Sequence, residues 1–300
     1  MTQTFRKTRR GAPAGFFATE AAGLGWLSVP GGPRVVQVRA VGSDFLDLER
    51  IQSTRATPKA ARAFGAALAR MHTSGDPGPW GALPPGVTHG FFGPLDDPLP
   101  LVSGTLASGP LEPGPKASDS PVPGPSPHTP SPAAPAPSRG FAAWHTFYGE
   151  ARLRAIMEQG RERRTFTRRD ESAMAAVIRR LPQLIGEAGT DRPARLHGDL
   201  WSGNVMWTRV PSRDTGTVEA VLIDPAAHAG HREADLAMLA LFGAPHLGEM
   251  LRGYQDVHPL TPDWQDRIPL HQLYPVAVHA VLFGGGYIDQ TRALMAILLG

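Results

Sequence analysis

Residues 197–204 read His-Gly-Asp-Leu-Trp-Ser-Gly-Asn, and the segment Ile-Asp-Pro-Ala follows at 223–226. Asp199 and Asn204 lie five residues apart in the first stretch, whose two glycines permit tight backbone turns. The spacing Asp-x-x-x-x-Asn is that of a kinase catalytic loop, which a metal-binding aspartate follows further along the chain. The stretch therefore predicts a phosphoryl-transfer centre inside a kinase-like fold.

A β-hairpin is predicted to bring the two segments together. Strands are expected at about 204–209 and 218–223, joined by a polar turn at 211–217. The start of one strand of an antiparallel hairpin lies beside the end of the next strand. We therefore expect Asn204 and Asp224 to lie side by side at one end of the hairpin.

An amide oxygen beside a carboxylate suits a hard cation such as Mg²⁺, which takes oxygen ligands and shares its remaining positions with phosphates. Asn204 and Asp224 are therefore the predicted metal ligands. Asp199, in the loop that leads into the hairpin, can orient a substrate hydroxyl and accept its proton. The alternative interpretation is a surface loop in which the aspartate and asparagine cap helices.

The segments before residue 75 predict a small sheet followed by a helical region. Hydrophobic periodicity and turn signals give the order strand, helix, strand, strand, helix. The predicted bounds are 4–8, 15–27, 34–41, 45–51 and 59–72. This order indicates an α+β, bilobal, protein-kinase-like fold, in which a small antiparallel-sheet lobe leads into a mainly helical lobe.

Lys7 falls on the first predicted strand and Glu20 on the first predicted helix. Kinases use such a lysine and glutamate pair to hold the α- and β-phosphates of ATP. Because Arg6, Arg9 and Arg10 crowd the same stretch, a solvated basic run is the alternative.

The strand at 45–51 is placed to lead to the hinge between the lobes, whose backbone would bind adenine. Glu49 and Ile51 are the predicted nucleotide-binding positions there. A plain core strand is the other interpretation, and the two are compatible.

The rest of the chain is predicted to be mostly helical. Helices are expected at 141–158 and 171–187, and Pro182 is expected to kink or break the second one. A third, apolar helical stretch at 270–299 is interrupted by three glycines at 284–286.

Residues 103–139 are rich in proline, serine, alanine and glycine. Such a segment cannot bury enough apolar surface to offset the entropy lost on ordering, so we expect a disordered or polyproline-like insert. The predicted division is a nucleotide-binding lobe at 1–52 and a helical catalytic and substrate lobe at 53–300, which the insert interrupts.

Composition excludes several classes of function. The chain has no cysteine, which excludes disulfides, thiolate catalysis and cysteine-ligated zinc. The net charge of +3, without a long basic stripe, suits an anionic ligand such as a nucleotide and does not require nucleic acid. The first residues are polar and lack the apolar core of a signal peptide, and no run of about 18 apolar residues occurs, so we expect a cytoplasmic protein without membrane contact.

Several segments resemble the fructosamine kinase (ketosamine 3-kinase) family, a branch of the aminoglycoside-phosphotransferase-like kinases. The tryptophan-containing loop at 197–204, the segment at 223–226 and GHREADLAM at 230–238 carry the resemblance. Supporting segments are FATEAAGLGWL at 17–27, FGAALARMH at 64–72, HGFFGPL at 89–95, YGEARL at 148–153, LFG at 241–243 and LYPVAVHAVLFGGGY at 273–287. The similarity extends over nearly the whole chain outside 103–139.

The resemblance implies ATP-dependent phosphorylation of the sugar 3-hydroxyl of fructosamines and other ketosamines formed by glycation. The substrate would be a small molecule or a protein-bound ketosamine. The 3-phosphate then breaks down and frees the amine, which reverses glycation.

Matching positions also carry roles over to this chain. The resemblance implies that Asp199 is the catalytic base and that Asn204 and Asp224 bind Mg²⁺. Lys7 and Glu20 would orient the phosphates. Trp201 would help to form the sugar pocket, or else would pack to shape the loop, and Asp235 would brace the loop from a helix.

The chain departs from the family in two places. Only six residues precede Lys7, where kinase-like folds place a Gly-rich hairpin, so we expect that hairpin to be missing and ATP binding to be weakened. The insert at 103–139 stands where the family has a short connection. Neither departure touches Asp199, Asn204 or Asp224.

Three rival interpretations remain. One is a kinase-like pseudoenzyme or binding module, and another is a kinase of the aminoglycoside, choline or homoserine type. The third is a metallohydrolase with a histidine and carboxylate cluster, drawn from His197, Asp199, His228, His231, Glu233 and Asp235. We expect a monomer, with a dimer left open.

Overall fold

The computed structural model of the chain describes residues 3–93, 99–101, 140–210 and 216–300. The predicted insert at 103–139 lies outside these residues, and so does most of the turn predicted at 211–217. The elements before residue 102 are, in chain order, β1 (Thr4–Thr8), α1 (Phe16–Leu27), β2 (Arg34–Val35), β3 (Val38–Val41), β4 (Phe45–Glu49), α2 (Pro58–Thr73), β5 (Gly90–Phe92) and β6 (Leu99–Leu101).

The second part of the chain is mainly helical. It begins with α3 (Trp144–Thr146), the π-helical segment Phe147–Arg154, α4 (Ala155–Glu162), α5 (Arg168–Ile185) and β7 (Ala194–Leu196). It continues with β8 (Val205–Arg209), β9 (Val218–Leu222), β10 (His228–Gly230), α6 (Glu233–Leu241), α7 (Leu247–Val257), α8 (Ile268–Phe283) and α9 (Gly286–Leu299). The predicted α+β class, with a small sheet followed by helices, is confirmed.

The small sheet is antiparallel and has the strand order β1–β4–β3. Lys7 of β1 lies opposite Leu46 of β4, and α1 packs on the sheet through Phe17 and Leu24. Among the described residues β1 is an edge strand, paired with β4 alone. The sheet thus presents Lys7 close to the helix that carries Glu20.

The strand predicted at 34–41 is two short strands. β2 runs parallel to β9, and the Val36 backbone N–H extends this pairing with a 3.0 Å bond to the Leu222 carbonyl. Val36 is buried, and after it the chain turns to pair β3 with β4. The prediction of one continuous strand was wrong because the two ends of the segment pair with different sheets.

The predicted β-hairpin is confirmed. β8 and β9 are antiparallel, and Val205 lies opposite Leu222. The loop at 197–204 enters this hairpin from β7, which itself pairs with β10. The loop is therefore fixed at both ends by strand pairing.

Helix α5 is continuous from Arg168 to Ile185, so Pro182 does not break it as one form of the prediction expected, while a kink there stays a prediction. A continuous apolar face of the helix is buried on both sides of the proline, including Val177, Leu181 and Ile185. We attribute the persistence of the helix to this packing, which opposes the loss of one backbone hydrogen bond.

The predicted break in the last apolar stretch is confirmed. Helix α8 ends at Phe283, and Gly284 and Gly285 have φ values of 64° and 59°, which favour glycine. Among the residues that the structure describes, no helix is both long enough and apolar enough to cross a membrane.

Helices α2 and α7 approach each other closely through two buried glycines. A Cβ atom added at Gly65 would collide with the Met250 carbonyl, and one at Gly253 would collide with the Arg62 carbonyl. Both obstacles are backbone atoms, which cannot rotate away. This contact sets the relative position of His72 on α2 and Tyr254 on α7, whose side chains contact each other beside the functional site.

We predict that Gly65→Ala lowers the free energy of unfolding by about 1–3 kcal/mol, because the added methyl group forces α2 and α7 apart. Urea unfolding followed by circular dichroism measures the change. Gly248→Ala on α7 is the matched control: a Cβ there meets nothing closer than 3.8 Å, so stability should be equal or slightly higher. Equal stability of Gly65→Ala and the wild type would contradict the close packing.

Candidate active site

The loop at 197–204 makes a tight turn that depends on Gly198. Its φ of 82° lies in the left-handed region, and an added Cβ would collide with the Ala226 carbonyl oxygen. The loop therefore lies directly against the segment at 223–227 that follows β9. This close approach brings the two sequence motifs together.

Asp235 of α6 fixes the loop through its backbone. Its Oδ2 accepts the His197 N–H at 2.8 Å, and its Oδ1 accepts the Gly198 N–H at 3.0 Å. The same carboxylate lies 3.2 Å from Nε2 of His72, whose Nδ1 is 2.9 Å from the Tyr254 hydroxyl. The predicted role of Asp235 as a brace agrees with these contacts.

His197 ties the loop to the second motif. Its Nε2 donates to the Ile223 carbonyl at 2.8 Å, and its Nδ1 accepts the Asp199 N–H at 3.3 Å. The side chain is fully buried, and this burial holds its pKa below the ordinary value. The imidazole is therefore neutral and acts as a structural link between the two motifs.

Asn204 lies beside Asp224, as the antiparallel hairpin predicted, and it also contacts Asp199. Its Nδ2 donates to the Asp199 carbonyl at 2.8 Å and to the Asp199 Oδ2 at 3.1 Å. The Asp224 carbonyl is 3.5 Å from the same nitrogen. These contacts fix the orientation of the amide and leave its oxygen for another partner.

Asp224 has an unusual backbone conformation, with φ at 52°. This left-handed region is costly for a residue other than glycine, and such strain concentrates at functional sites. The Asp224 side chain remains 43% exposed, and its Oδ1 is 3.0 Å from the Lys7 Nζ. One carboxylate oxygen thus contacts the first strand, while the side chain stays accessible from the cavity.

Lys7 and Glu20 form the ion pair that the sequence predicted. The Lys7 Nζ lies 2.8 Å from both oxygens of Glu20, and both side chains are largely buried. Burial alone would lower the pKa of Lys7, but the carboxylates of Glu20 and Asp224 outweigh it and raise the pKa above its ordinary value. Lys7 is therefore a fixed positive charge beside Asp224.

Asp199 lies partly exposed at the bottom of a cavity and is otherwise surrounded by protein. Desolvation raises the pKa of Asp199 to about 7, although the bond from Asn204 opposes the shift. A cation bound nearby would lower the pKa again, because it favours the charged form of the carboxylate.

A cavity of about 320 Å³ joins most of the predicted site residues, and we call it the loop cavity. The predicted residues that line it are Lys7, Glu20, Asp199, Trp201, Asn204 and Asp224. These residues come from four separate segments of the chain, and the fold brings them together around one cavity.

A second cavity of about 470 Å³ lies on the other side of Lys7 and Asp224, and we call it the hinge cavity. Glu49 and Ile51, the predicted nucleotide-binding positions, both line it. Its other walls are mostly apolar and include Phe5, Val36, Leu48, Met206 and Ile223. Lys7 and Asp224 line both cavities and so mark the passage between them.

The side chain of Glu49 does not point freely into the hinge cavity. Its carboxylate pairs with Arg34 at 2.8 Å, and Arg34 also pairs with Glu219. Its backbone N–H donates to the Gln37 carbonyl at 2.9 Å.

Sequence reasoning missed several aromatic side chains of the loop cavity. Phe91 and Phe92 of β5 line one side, and His279 and Phe283 of α8 line another. His279 sits in the apolar segment LYPVAVHAVLF, and a lone polar residue on an apolar helix was the available signal. For β5, the glycines at 90 and 93 on either side of the two phenylalanines were the available signal, because glycine in a strand often marks a site where a ligand or another backbone comes close.

The histidine and carboxylate cluster of a metallohydrolase is not assembled as the sequence suggested. His197, His228 and His231 each bond to a backbone carbonyl, at 2.8, 2.8 and 3.0 Å. Among the described residues, His231, Glu233 and His271 do bring donor atoms within 4.8 Å of one another. However, the Arg267 guanidinium pairs with both Glu233 oxygens, at 2.6 and 2.9 Å, and its charge opposes a cation there.

Comparison with known proteins places this geometry in a family. The family model described as fructosamine kinase matches residues 133–300. A Lactiplantibacillus plantarum protein with the name "Probable ketoamine kinase" is 38% identical over 144 residues, which are 48% of this chain and 48% of that protein. The chain thus spans about half the length of the curated relatives it matches.

Solved structures extend the likeness to the whole fold. The crystal structure of a candidate fructosamine-3-kinase from Thermobifida fusca is 35% identical and superimposes with a TM-score of 0.76, covering 99% of this chain and 86% of that one. The gentamicin complex of APH(2")-IIa shares 11% identity and a TM-score of 0.51, over 99% of this chain and 85% of that one, which shows the fold alone. The predicted kinase-like fold is confirmed, and the chain belongs to the fructosamine kinase family.

Proposed function

We propose that this chain is an ATP-dependent kinase that transfers the γ-phosphoryl group to the 3-hydroxyl of a ketosamine sugar. The observation that carries the proposal is the convergence of Lys7, Asp199, Asn204 and Asp224 on one cavity, beside a second, mostly apolar cavity. Membership of the fructosamine kinase family and the names of the relatives support the choice of a ketosamine as acceptor.

ATP fits the two cavities as a substrate that runs from one to the other. The adenine ring would lie in the apolar hinge cavity, next to the backbone at Glu49 and Ile51. The phosphates would then pass Lys7 and Asp224 and bring the γ-phosphoryl group into the loop cavity. Lys7, held by Glu20, would contact the α- and β-phosphates as a point charge.

Asn204 and Asp224 fit a magnesium ion by their chemistry. Each offers an oxygen beside the passage between the cavities, and the Asn204 amide is already turned so that its nitrogen faces Asp199. Mg²⁺ keeps water and phosphate oxygens among its ligands and needs few protein groups. When bound, the ion would neutralise charge on the transferring phosphoryl group.

Asp199 would act on the acceptor hydroxyl. Its carboxylate would accept a hydrogen bond from the sugar 3-hydroxyl, orient the oxygen toward the γ-phosphorus, and take up the proton as the new oxygen–phosphorus bond forms and the bond from the γ-phosphorus to the bridging oxygen of ADP breaks. The Asn204 amide and the Asp199 backbone contacts to His197 hold the carboxylate in place. Catalysis is then mainly positioning and electrostatic stabilisation.

The sugar would lie between the loop and helix α8. Trp201 is 39% exposed at the edge of the loop cavity, and its ring packs over Gly203. The His279 Nδ1 donates to the Pro275 carbonyl at 2.7 Å, which leaves the Nε2 lone pair to accept from a sugar hydroxyl. Burial keeps the pKa of His279 below its ordinary value, so the ring is neutral at pH 7.

Phosphorylation at the 3-hydroxyl would make the ketosamine unstable, and its breakdown would free the amine. The chain would therefore take part in deglycation of small molecules or proteins. We place this activity in the cytoplasm, where ATP is available.

An assay of ADP release with ATP and Mg²⁺ tests the proposal against its rivals. Fructosyl-lysine and ribulosyl-lysine should be turned over, and choline and gentamicin should not. Preference for choline or gentamicin would make the chain another small-molecule kinase, and the absence of turnover with every acceptor would make it a pseudoenzyme.

We predict that Asp199→Asn lowers kcat for a ketosamine by about 10²–10⁴-fold, because the amide cannot accept the hydroxyl proton. The Kd of ATP, measured by calorimetry, should stay within about threefold of the wild-type value. Asp199 is proposed to contact the acceptor hydroxyl and neither the adenine ring nor the α- and β-phosphates of ATP. Asp289→Asn is the surface control, because Asp289 is 82% exposed. A kcat of Asp199→Asn near the wild-type value would refute this role.

We predict that Lys7→Met raises the KM for ATP by about 10- to 100-fold, the cost of a lost charge-assisted hydrogen bond. Steady-state kinetics at saturating ketosamine measure the effect. Lys59→Met on α2 removes the same charge at an exposed residue that lines neither cavity, and it should leave KM unchanged. If the two variants had equal KM values, Lys7 would not be a phosphate ligand. Circular dichroism checks that Lys7→Met remains folded.

A further inference from the structure

Exposed aromatic side chains form a continuous surface that begins at the catalytic loop. Trp201, Phe242 and Phe283 are 39%, 40% and 58% exposed, although large aromatic side chains are usually well buried. We call the surface formed by Trp201, Phe242, His279, Phe283 and Tyr287 the aromatic wall. Three of these residues, Trp201, His279 and Phe283, also line the loop cavity, so the wall continues outward from the site.

Ring contacts connect the wall from one end to the other. Trp201 and Phe242 are 6.1 Å apart between ring centroids, and Phe242 and His279 are 5.2 Å apart. His279 then lies 5.6 Å from Phe283 and 5.1 Å from Tyr287. The contacts are edge-on or tilted, so that several ring faces remain open to a ligand.

The opposite side of the loop cavity is aromatic as well. Phe16 of α1 and Phe91 of β5 are 5.2 Å apart and both line the cavity. The sugar, proposed to lie beside Trp201 and His279, would cover only part of the aromatic surface, because Phe242 and Tyr287 belong to the wall but do not line the loop cavity. The mouth of the cavity is therefore shaped for a part of the substrate other than the sugar.

The chemistry of a ketosamine indicates which part that is. The amine is attached at C1, only a few bonds from the 3-hydroxyl that must lie at Asp199. The substituent on the nitrogen therefore has to leave the cavity close to the loop that carries Asp199, and Trp201 is two residues further along that loop. The aromatic wall begins at Trp201 and therefore lies next to this exit.

We infer that the outer part of the aromatic wall, formed by Phe242, Phe283 and Tyr287, is the binding site for the amine-side group of the ketosamine and selects substrates whose amine carries an aromatic or extended apolar group. This inference rests on the proposed function, because it assigns a subsite to the same reaction. The ketosamine nitrogen is a secondary ammonium ion, which aromatic faces attract by cation–π interaction. An apolar group attached to it gains further contact by stacking.

Two ketosamines that differ only in the amine side test the inference: fructosyl-phenylalaninamide and fructosyl-glycinamide, both without a carboxylate. For the wild type we expect KM to be about 10-fold lower for the phenylalaninamide compound, the factor that one aromatic contact supplies. Phe283→Ala should remove most of this preference and leave KM for fructosyl-glycinamide within about twofold. Phe283 is the exposed last residue of α8, so its replacement should not disturb folding.

Ile297→Ala is the matched control, since Ile297 is 62% exposed on α9 and does not line the loop cavity. It should keep the full preference of the wild type. Equal KM values for the two ketosamines, or an equal effect of Phe283→Ala on both, would overturn the inference while leaving the kinase proposal intact.

Calorimetry keeps the test independent of turnover. Binding of both ketosamines to the wild-type protein in the presence of ADP and Mg²⁺ is measured directly. Tighter binding of the phenylalaninamide compound to the wild type, lost in Phe283→Ala, would support the subsite even if no phosphoryl transfer occurred. The lack of transfer would then refute only the proposed function. Equal affinity for the two compounds, or binding of neither, would overturn the subsite.

Discussion

Two backbone N–H groups of the catalytic loop bond to one buried carboxylate, that of Asp235, and the rest of the site depends on this contact. Without it, the left-handed turn at Gly198 would lose two of the hydrogen bonds that hold it against the segment after β9. Asp235 is in turn held by His72 of α2, which contacts Tyr254 of α7. The close approach of α2 and α7 at their glycines therefore influences the position of the loop at 197–204 through the side chains of Tyr254, His72 and Asp235.

The charged groups of the site are also brought together from separate elements of the fold. Lys7 lies between the carboxylates of Glu20 and Asp224, so that a strand, a helix and the end of a hairpin meet at one positive charge. The same two residues, Lys7 and Asp224, separate an apolar cavity from one that contains Asp199. An elongated ligand with an apolar end and an anionic middle fits this order of surfaces, which is why the geometry favours ATP and an acceptor alcohol.

The sequence predicted those features that depend on local spacing or on pairing rules. Antiparallel pairing was enough to bring Asn204 to Asp224, and strand–helix order was enough to pair Lys7 with Glu20. It did not predict β5 or the place of His279 and Phe283, because those side chains reach the cavity only through packing between distant segments. The break considered at Pro182 did not occur for the same reason: burial of one helix face outweighed a local propensity. The split of 34–41 into two strands likewise depended on a partner, β9, far along the chain.

The position of the transferred phosphate tests the account most directly. Fructosyl-lysine is incubated with ATP, Mg²⁺ and the protein, and the product is followed by ³¹P NMR with correlation to the sugar protons. The geometry at Asp199, together with the family, predicts a new phosphomonoester signal that correlates with the proton on C3 and grows in step with ADP. A signal correlated with another sugar position, or ADP formed without any sugar phosphate, would contradict the assignment of the loop cavity as the site of ketosamine 3-phosphorylation.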